Sequence, residues 1–428
     1  HAPMVATATG SPRDVFLTNI SQLDQLEDDF HAFNVKLDQS IRKYTSASED
    51  PDIAALLAVC AELSPSPDAY DFCALKAQKD MDWRHTLASA DREKAIEARD
   101  NEITSLEETI LVRIDPSSAE YSTAVAEAIN ARLLLDIKRN GTWTARLVKQ
   151  GFREDKASAD GEGFNYYAHV AKLLSVRTSI FRPRRGTRSI AVKDIATAFL
   201  QSHKFDGFVK WLKYRDPITG QVVYFKQLGP LYGEASAPVR WFETIAPWLV
   251  EQGFVQGENE PCVFYHHDRD VLLLLYVDDC LVDAEADQIE WIFNLLDERF
   301  KCKPADWLTK GTPVDFIGMD LSMDDERIYL DMERYINNVA LPTLKMDDCK
   351  PVTSPIVEPI DDDSPELSPD ERRLFMTAVG CLGWLVNTVR VDCAYAHSRV
   401  AQHMATPTKS ALKSVLRVFQ YLKGTANL

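Results

Sequence analysis

Three aspartates, Asp194 and the adjacent pair Asp278-Asp279, are the residues of this sequence whose type and spacing could do chemistry. Carboxylate oxygens are the hard ligands that Mg²⁺ prefers, and a few aspartates together with substrate phosphates are enough to hold the ion. Two such ions, about 3.5–4 Å apart, assist the attacking and leaving oxygens of a phosphoryl transfer. A structural alternative stays open for each group: a solvated turn for Asp278-Asp279, and a helix N-cap for Asp194.

Strand patterns flank these aspartates. An apolar run from Val271 to Val277 is interrupted by Asp278-Asp279 and resumes over 280–282, which predicts a buried hairpin with the carboxylates at its tip. The run 189–193 predicts a strand that ends at Asp194. Rigid strands suit such a site, because a displacement of about 1 Å can lower a rate about a hundredfold.

Strand and helix patterns also occur along the rest of the chain. Segments 133–137 and 142–148, joined by Asn140-Gly141, predict a second hairpin, and 222–225 predicts a further strand. Helical spacing occurs over 241–251 and over 285–300, where one face is apolar. A capping box at 368–371 and an apolar stripe over 409–423 predict two helices near the C-terminus. The pattern predicts an α+β fold whose last part is helical.

The net charge of −17 is distributed unevenly. Residues 1–130 carry −13, residues 131–240 carry +11 and residues 241–428 carry −15. The total argues against a nucleic-acid partner, whereas a basic segment between acidic flanks is what a groove for phosphates could produce. Four arginines of this basic segment could track a nucleic-acid backbone or lie in a solvated loop. They are Arg182, Arg184, Arg185 and Arg188.

Cysteine usage and hydropathy bear on the compartment. None of the eight cysteines forms a C-x-x-C pair, which favours free thiols in a reducing compartment. The longest apolar run, Val271 to Val277, is far short of the roughly 20 residues that span a bilayer. The first residue is His1 and no signal peptide is evident, so we expect a soluble, intracellular excerpt or product of a longer polyprotein.

The motifs around the aspartates resemble those of copia-type LTR retrotransposon reverse transcriptases. Leu275–Asp279 resembles their Tyr-Val-Asp-Asp box, and Asp194–Leu200 resembles their Asp-Val-x-x-Ala-Phe-Leu segment. The resemblance covers roughly residues 130–428. Further segments follow in the order of that family: Ala145–Val148 with Gly151-Phe152, Leu231–Gly233 with Ala237-Pro238 and Trp241, Phe316–Met319, Arg334–Ile336, Thr353–Pro355, Val379–Gly383, Asp392–Ala396 and Tyr421–Thr425.

The resemblance implies a right-hand polymerase of α+β class. Fingers and palm, with an antiparallel sheet and helices, would occupy 81–345. A helical thumb or connection would occupy 346–428 and lead towards an RNase H, and 1–80 would be an acidic N-terminal spacer. The implied activity is RNA-directed DNA polymerisation, in which two Mg²⁺ ions, or Mn²⁺ in their place, support nucleotidyl transfer from a dNTP to a primer 3′-OH.

The resemblance also implies partners and a location. The partners would be an RNA template, a DNA primer and dNTPs, together with the integrase and RNase H regions of the same polyprotein. No membrane partner is implied. The location would be a cytoplasmic particle or the nucleus.

The resemblance assigns roles residue by residue. Asp194 and Asp278 would be the principal metal ligands, supported by Asp279. Four residues would bind the nucleotide: Arg146 at the triphosphate, Phe199 as a gate against the ribose 2′-hydroxyl, Tyr276 near the primer terminus, and Ser236. The alternatives are a solvated strand residue for Arg146, a core aromatic for Phe199 and a buried tyrosine for Tyr276. The residues implied to bind nucleic acid are Arg182, Arg184, Arg185, Arg188, Arg240 and Gly318.

The segment 234–239 departs from the family pattern. It has Ser236 where the family has Gln, and Val239 where the family has Arg, although Arg240 is adjacent. Thr144 replaces a Lys. These changes keep two alternatives open: a weak or inactive retrotransposon remnant, and a domesticated nucleic-acid-binding protein. A third alternative is an acidic interaction protein that uses residues 1–130 as a binding arm.

Overall fold

The computed structural model of the chain describes residues 83–137, 141–154, 160, 164–180, 188–325, 327–355 and 359–428. The spacer predicted over 1–80 lies outside these residues. The strands are β1 Leu111–Arg113, β2 Ile129–Ile137, β3 Trp143–Lys149, β4 Arg188–Asp194, β5 Lys210–Arg215, β6 Val222–Gln227, β7 Val255–Gln256, β8 Val263–His266, β9 Val271–Tyr276, β10 Asp279–Glu285, β11 Asp306–Trp307, β12 Val314–Phe316, β13 Met319–Met323 and β14 Ile328–Asp331. The α-helices are α1 Trp83–Leu87, α2 Arg92–Thr109, α3 Tyr121–Glu127, α4 Leu173–Ile180, α5 Ala237–Glu251, α6 Ala286–Arg299, α7 Glu333–Tyr335, α8 Leu341–Thr343, α9 Pro369–Thr388, α10 Ala394–Ala401 and α11 Lys409–Gly424.

A five-stranded sheet has the order β1-β6-β5-β2-β3. Its β2–β3 pair is the hairpin predicted from Asn140-Gly141, with Ala131 opposite Lys149 and Ile137 opposite Trp143. Alternate residues of β2 and β3 are buried in one hydrophobic cluster with α2, because successive side chains of a strand point to opposite faces.

A six-stranded antiparallel sheet has the order β11-β4-β10-β9-β8-β7. It contains both predicted strands, β4 ending at Asp194 and the hairpin β9–β10. Leu273 and Leu275 are buried on one face, whereas Leu274 and Leu281 are buried in a different cluster on the other. Burial on both faces explains why the apolar run in β9 is continuous rather than alternating.

Helices α5 and α6 cover one face of the six-stranded sheet. α6 confirms the helix predicted over 285–300, since its apolar positions Ile289, Ile292, Phe293 and Leu296 are all buried. α5 begins at Ala237, four residues before the predicted start. Its first turn contains a proline, which the start of a helix tolerates because the first N–H groups have no partner inside the helix.

The other face is covered by the three-stranded sheet β12-β13-β14 and the C-terminal helices. The predicted capping box opens α9, where the Glu371 N–H donates to Ser368 Oγ and the Ser368 N–H donates to Glu371 Oε2. The last predicted helix, 409–423, is α11.

One hydrophobic cluster joins regions on either side of position 345. It includes Leu274 and Leu281 of the six-stranded sheet together with Phe375 of α9 and Phe419 of α11. Among the described residues, no helix has the length and apolar composition that crossing a membrane requires. The architecture is the α+β arrangement that the sequence predicts: an antiparallel six-stranded sheet, a five-stranded sheet in which β2 and β5 pair in parallel, and helices towards the C-terminus.

Candidate active site

Two neighbouring strands of the six-stranded sheet bring the three aspartates together. β4 ends at Asp194 and β10 begins at Asp279, and the register pairs these two residues directly. Directly paired residues of antiparallel strands have Cβ atoms about 4.5–5.5 Å apart on the same face. Asp278 lies in the turn before β10, and its carbonyl accepts a 2.8 Å hydrogen bond from the Ile195 N–H. The hairpin therefore places all three aspartates at the same end of these two neighbouring strands.

Val277 and Asp278 form the two-residue turn between β9 and β10, since Tyr276 pairs with Asp279. Val277 has a φ of +54°, in the left-handed region that β-branched residues rarely adopt. Its carbonyl accepts a 2.6 Å hydrogen bond from the indole Nε1 of Trp241 in α5. Tyr276 is half-buried at the end of β9, next to this turn, and its contact with a primer stays a prediction.

Burial and mutual repulsion raise the pKa of the two adjacent carboxylates. Burial is the main cause for Asp278, followed by the charge of Asp194. Burial, followed by the charges of Asp278 and Asp194, raises the pKa of Asp279 to about 7. Lys303, whose Nζ lies 2.6 Å from Asp194 Oδ2, lowers both pKa values but does not offset the rise. The site therefore keeps an excess of negative charge.

This donor set suits a divalent cation. Mg²⁺ is commonly held by one or two carboxylates with substrate phosphates and waters, rather than by an all-protein cage. Within the part of the chain that the structure describes, no three or more His, Cys, Asp or Glu side chains gather around one ion position. That Asp194 and Asp278 hold such an ion, with Asp279 beside them, stays a prediction. A cation would relieve the repulsion that raises the pKa of Asp278 and Asp279.

A cation and two aromatic rings lie next to the carboxylates. Arg146 is exposed on β3, and its guanidinium lies 5.8 Å from the centre of the Tyr232 ring. The half-buried Phe199 ring lies 5.7 Å from the same ring. Arg146 also lowers the pKa of Asp278, which places its charge within reach of the carboxylates. A guanidinium at this position could donate hydrogen bonds to a triphosphate, as predicted for Arg146.

Tyr232 is absent from the residues predicted for the site, although its segment Leu231–Gly233 is one of the recognised motifs. Two glycines let this segment approach β3 closely. A Cβ on Gly233, whose φ is +84°, would lie 2.2 Å from the Lys149 carbonyl oxygen, and a Cβ on Gly151 would lie 2.3 Å from the Gly233 carbonyl oxygen. The Lys149 N–H donates to the Tyr232 carbonyl at 2.8 Å. Close backbone contact thus fixes Tyr232 beside Arg146.

Ser236, predicted to bind the nucleotide, is not exposed at the candidate site, and its contact with a nucleotide stays a prediction. It is fully buried at the N-cap of α5, and its Oγ has no hydrogen-bond partner among the described residues. The physical reason is the inward path of the preceding loop, which the buried carboxylate of Glu234 directs.

Glu234 belongs to a cluster of buried ions that the sequence did not reveal. Its Oε1 accepts from Lys210 Nζ at 2.5 Å and from Lys149 Nζ at 3.4 Å, and its Oε2 accepts from Gln227 Nε2 at 2.7 Å and from the Leu231 N–H at 3.0 Å. Further contacts join Lys149 to Glu154, Lys210 to Asp160, and Arg240 to Asp160. We call this set the buried ion cluster; its members are Lys149, Glu154, Asp160, Lys210, Glu234 and Arg240.

Arg240, predicted to bind nucleic acid, is half-buried, and its contact with nucleic acid stays a prediction. Its Nη2 donates to Asp160 Oδ1 at 3.0 Å. Its guanidinium lies 4.9 Å from the Phe164 ring, 5.1 Å from the Phe205 ring and 5.4 Å from the Phe208 ring. Arg240 is thus engaged by Asp160 and three aromatic rings of the protein itself. Val239 itself is buried.

Arg188, also predicted to bind nucleic acid, is likewise engaged inside the protein, and its contact with nucleic acid stays a prediction. It is the buried first residue of β4, not part of a solvated loop. Its Nε donates to Asp283 Oδ1 at 3.2 Å, and its Nη1 donates to Asp270 Oδ2 at 2.5 Å. The other three arginines of that group, Arg182, Arg184 and Arg185, lie outside the described residues.

Gly318 lies in the open turn between β12 and β13. It has a φ of +80°, and a Cβ there would meet nothing within 4 Å. Its N–H donates to Asp315 Oδ1 at 3.1 Å, and the charge of Asp315 contributes to the raised pKa of Asp279. The turn is therefore on the carboxylate side of the molecule, and its contact with nucleic acid stays a prediction.

Known proteins resemble this chain in sequence and in structure. It is 24% identical over 316 residues to a retrovirus-related Pol polyprotein from the tobacco transposon TNT 1-94, a match that covers 69% of this chain and 23% of the relative. It is 28% identical over 305 residues to the Pol polyprotein from transposon RE1 of Arabidopsis thaliana, covering 67% of this chain and 19% of that protein. A solved foamy viral protease-reverse transcriptase in complex with double-stranded DNA is similar at 14% identity and a TM-score of 0.45, over 78% of this chain and 49% of that chain.

The chain spans about a fifth of the length of the curated relatives it matches. A family model described as reverse transcriptase (RNA-dependent DNA polymerase) matches residues 126–358, which is more than half of the chain and contains all three aspartates. The chain belongs to this reverse transcriptase family, in the group represented by the Pol polyproteins of copia-type retrotransposons.

Proposed function

We propose that this chain is the polymerase part of a copia-type retrotransposon Pol polyprotein, and that it extends a DNA primer with dNTPs on an RNA template. The observation that carries the proposal is the pairing of Asp194 with Asp279 across β4 and β10, with Asp278 in the adjoining turn. The charge of Arg146 reaches the same place. Together these groups offer oxygen ligands for cations and a guanidinium for phosphates.

Each group of residues would have a separate chemical role. Two divalent cations, Mg²⁺ or Mn²⁺, would lower the pKa of the primer 3′-hydroxyl and neutralise the leaving pyrophosphate when bound. Asp194 and Asp278 would hold them, and Asp279 would support their geometry. Arg146 would donate hydrogen bonds to the triphosphate. Phe199 and Tyr232 would border the sugar, and Phe199 would oppose a ribose 2′-hydroxyl.

The names of the relatives bear on partners and location. They are Pol or Gag-Pol polyproteins of transposons, so we propose that integrase and RNase H regions accompany this chain in one polyprotein. RNA template and DNA primer would be its macromolecular ligands. A cytoplasmic particle or the nucleus would be its location.

A second candidate function has its own observations. Ser236 is buried, and Arg240 is enclosed by aromatic rings and Asp160. Two polar groups that the family pattern places near the nucleotide are thereby withdrawn from it. A remnant that binds nucleic acid without polymerising would show this pattern together with retained aspartates.

Primer extension separates the two candidates. The wild-type chain should extend a DNA primer on a homopolymer RNA template in the presence of Mg²⁺. Asp278→Asn should lower the rate at least about a hundredfold, because it removes a ligand charge from a side chain of the same shape. Asp268→Asn, at an exposed position in the β8–β9 turn, is the matched control and should extend at the wild-type rate. Template binding without extension by the wild-type chain would favour the second candidate.

A further inference from the structure

The turn that carries Asp278 is held from outside its own hairpin. The Asp278 carbonyl accepts a hydrogen bond from the Ile195 N–H, one residue beyond Asp194. The Val277 carbonyl accepts one from Trp241 Nε1, at 2.6 Å. Each of the two turn residues thus has its carbonyl fixed from a different segment: the residue that follows β4 in one case and α5 in the other.

The conformation held in this way is unfavourable for its sequence. Val277 has a φ of +54°, and a β-branched side chain in the left-handed region crowds its own backbone. A residue keeps such a backbone conformation only where contacts with the surrounding structure hold it there. A turn with Val277 at negative φ would relieve the crowding, but it would redirect both the Val277 carbonyl and the Asp278 side chain that follows.

The indole of Trp241 is itself fixed before any ligand binds. Trp241 is 2% exposed, and its ring packs edge-to-face on Phe300 at 5.3 Å. Phe300 follows α6 directly and also contacts Trp248 at 5.3 Å. The donor is therefore held by packing between α5 and the end of α6, in a cluster that also contains Leu273 and Leu275 of β9.

We propose that Trp241 is a positioning residue: its indole N–H selects the left-handed conformer of Val277 and thereby sets where the Asp278 carboxylate points. The inference rests on the proposed function, because it assigns Trp241 a role in the metal-binding geometry of the polymerase. Trp241 does not touch the substrate in this role. It acts through one hydrogen bond to the residue before a metal ligand.

The first test removes the donor. Trp241→Phe should lower kcat about five- to a hundredfold, which is the range for losing a hydrogen bond and leaving a buried carbonyl unsatisfied. The KM for dNTP should stay within about twofold, because Arg146 and Tyr232 are unaffected. Trp248→Phe is the matched control, since Trp248 packs on the same Phe300 ring about two helical turns further along α5, and it should keep the wild-type kcat.

Two further variants separate the hydrogen bond from simple packing. Replacing Trp241 with 3-benzothienylalanine keeps the ring shape but substitutes sulfur for the N–H, so it should lower kcat as Trp241→Phe does. Val277→Gly added to Trp241→Phe should restore part of the lost kcat, because glycine adopts positive φ without crowding. A packing defect alone would not be rescued by a glycine in the turn.

Binding of Mn²⁺ alone, measured by electron paramagnetic resonance, tests the inference without polymerisation. The Mn²⁺ binding that is lost in Asp278→Asn is the binding at the carboxylates. Trp241→Phe should lower the affinity for Mn²⁺ at that position. This readout holds even if the wild-type chain does not polymerise, so failure of the proposed function and failure of the inference are distinguishable. Wild-type kcat and wild-type Mn²⁺ affinity in the benzothienylalanine variant would overturn the inference.

Discussion

Two groups of carboxylates in this chain differ in how their charge is offset. In the buried ion cluster, burial opposes ionisation, but bonds from Lys210 and Arg240 hold the pKa of Asp160 below its usual range, and carboxylates raise the pKa of Lys210. At the candidate active site, burial and repulsion raise the pKa of Asp278 and Asp279 in spite of Lys303. The carboxylates of the first group are paired with cations of the protein itself, whereas the second group carries a repulsion that a bound cation would relieve.

The same contrast explains the departure of segment 234–239 from the family pattern. Glu234 occupies a position where the family has an apolar leucine, and its carboxylate is used internally by Lys149 and Lys210. Charged residues near a nucleotide site are therefore not all available to the nucleotide. Arg146 and Arg240 differ in their surroundings: Arg146 is exposed, whereas Arg240 is half-buried and forms an ion pair with Asp160.

The largest expected effect comes from breaking the buried ion cluster. Glu234→Leu should lower the free energy of unfolding by about 3–5 kcal/mol, because it removes one of the two carboxylates that Lys149 and Lys210 share and leaves an excess of buried positive charge. Urea denaturation measures the change. Adding Lys210→Met should recover part of the loss, since it removes one of those buried positive charges. A single variant within about 1 kcal/mol of the wild type would show that the cluster does not hold the fold.

A smaller effect is expected where the site faces its nucleotide. Phe199→Val should raise the ratio of rNTP to dNTP incorporation about tenfold, because the smaller side chain leaves room for a 2′-hydroxyl. Incorporation of single nucleotides measures the ratio in both proteins. An unchanged ratio would mean that Phe199, which also packs on Tyr232, acts as a core residue.

Removing a charge at the candidate active site should change stability in the opposite direction. With EDTA present at pH 8, Asp279→Asn should raise the free energy of unfolding by at least about 1 kcal/mol, because it removes repulsion that the folded state alone suffers. The sign follows from the raised pKa: folded Asp279 keeps its proton up to about pH 7, whereas the unfolded residue loses it near its ordinary value of 3.8. Wild-type stability should therefore fall as the pH rises between these values, more than in the variant.

The smallest expected effect concerns a histidine whose pKa is shifted by burial alone. Burial lowers the pKa of His397, which packs against Gly383 of α9. Folding then excludes a proton that the unfolded histidine binds, so stability should be lost as the pH falls below about 6.5. Wild type should lose up to about 1 kcal/mol relative to His397→Gln between pH 7 and pH 5.5. Equal pH profiles in thermal denaturation would contradict this assignment.

The sequence predicted the parts of the fold that depend on local patterns. The β9–β10 hairpin, α6 and the capping box at Ser368 were predicted because each depends on a continuous apolar run, a helical stripe or adjacent residues. The placement of Asp194 beside Asp279 followed from the family resemblance, since 85 residues separate them.

The remaining features depend on contacts that no local pattern encodes. Lys149 and Glu234 are 85 positions apart, and each taken alone suggests a solvated charge. Arg188 follows three arginines and resembles a loop residue, yet Asp270 and Asp283 bury it. Ser236 was placed by alignment to a motif, and the inward turn of its loop could not be seen from that alignment.

We expect divalent cations to bind at the aspartates and not at the buried ion cluster. The most direct test is anomalous diffraction at the manganese edge from crystals of the chain with primer, template, Mn²⁺ and a non-hydrolysable dNTP. We predict Mn²⁺ peaks within about 2.0–2.3 Å of Asp194 and Asp278 carboxylate oxygens, with Lys303 Nζ withdrawn from Asp194, and no peak at Glu234. Absence of manganese from the aspartates, with Lys303 still bound to Asp194, would contradict this prediction.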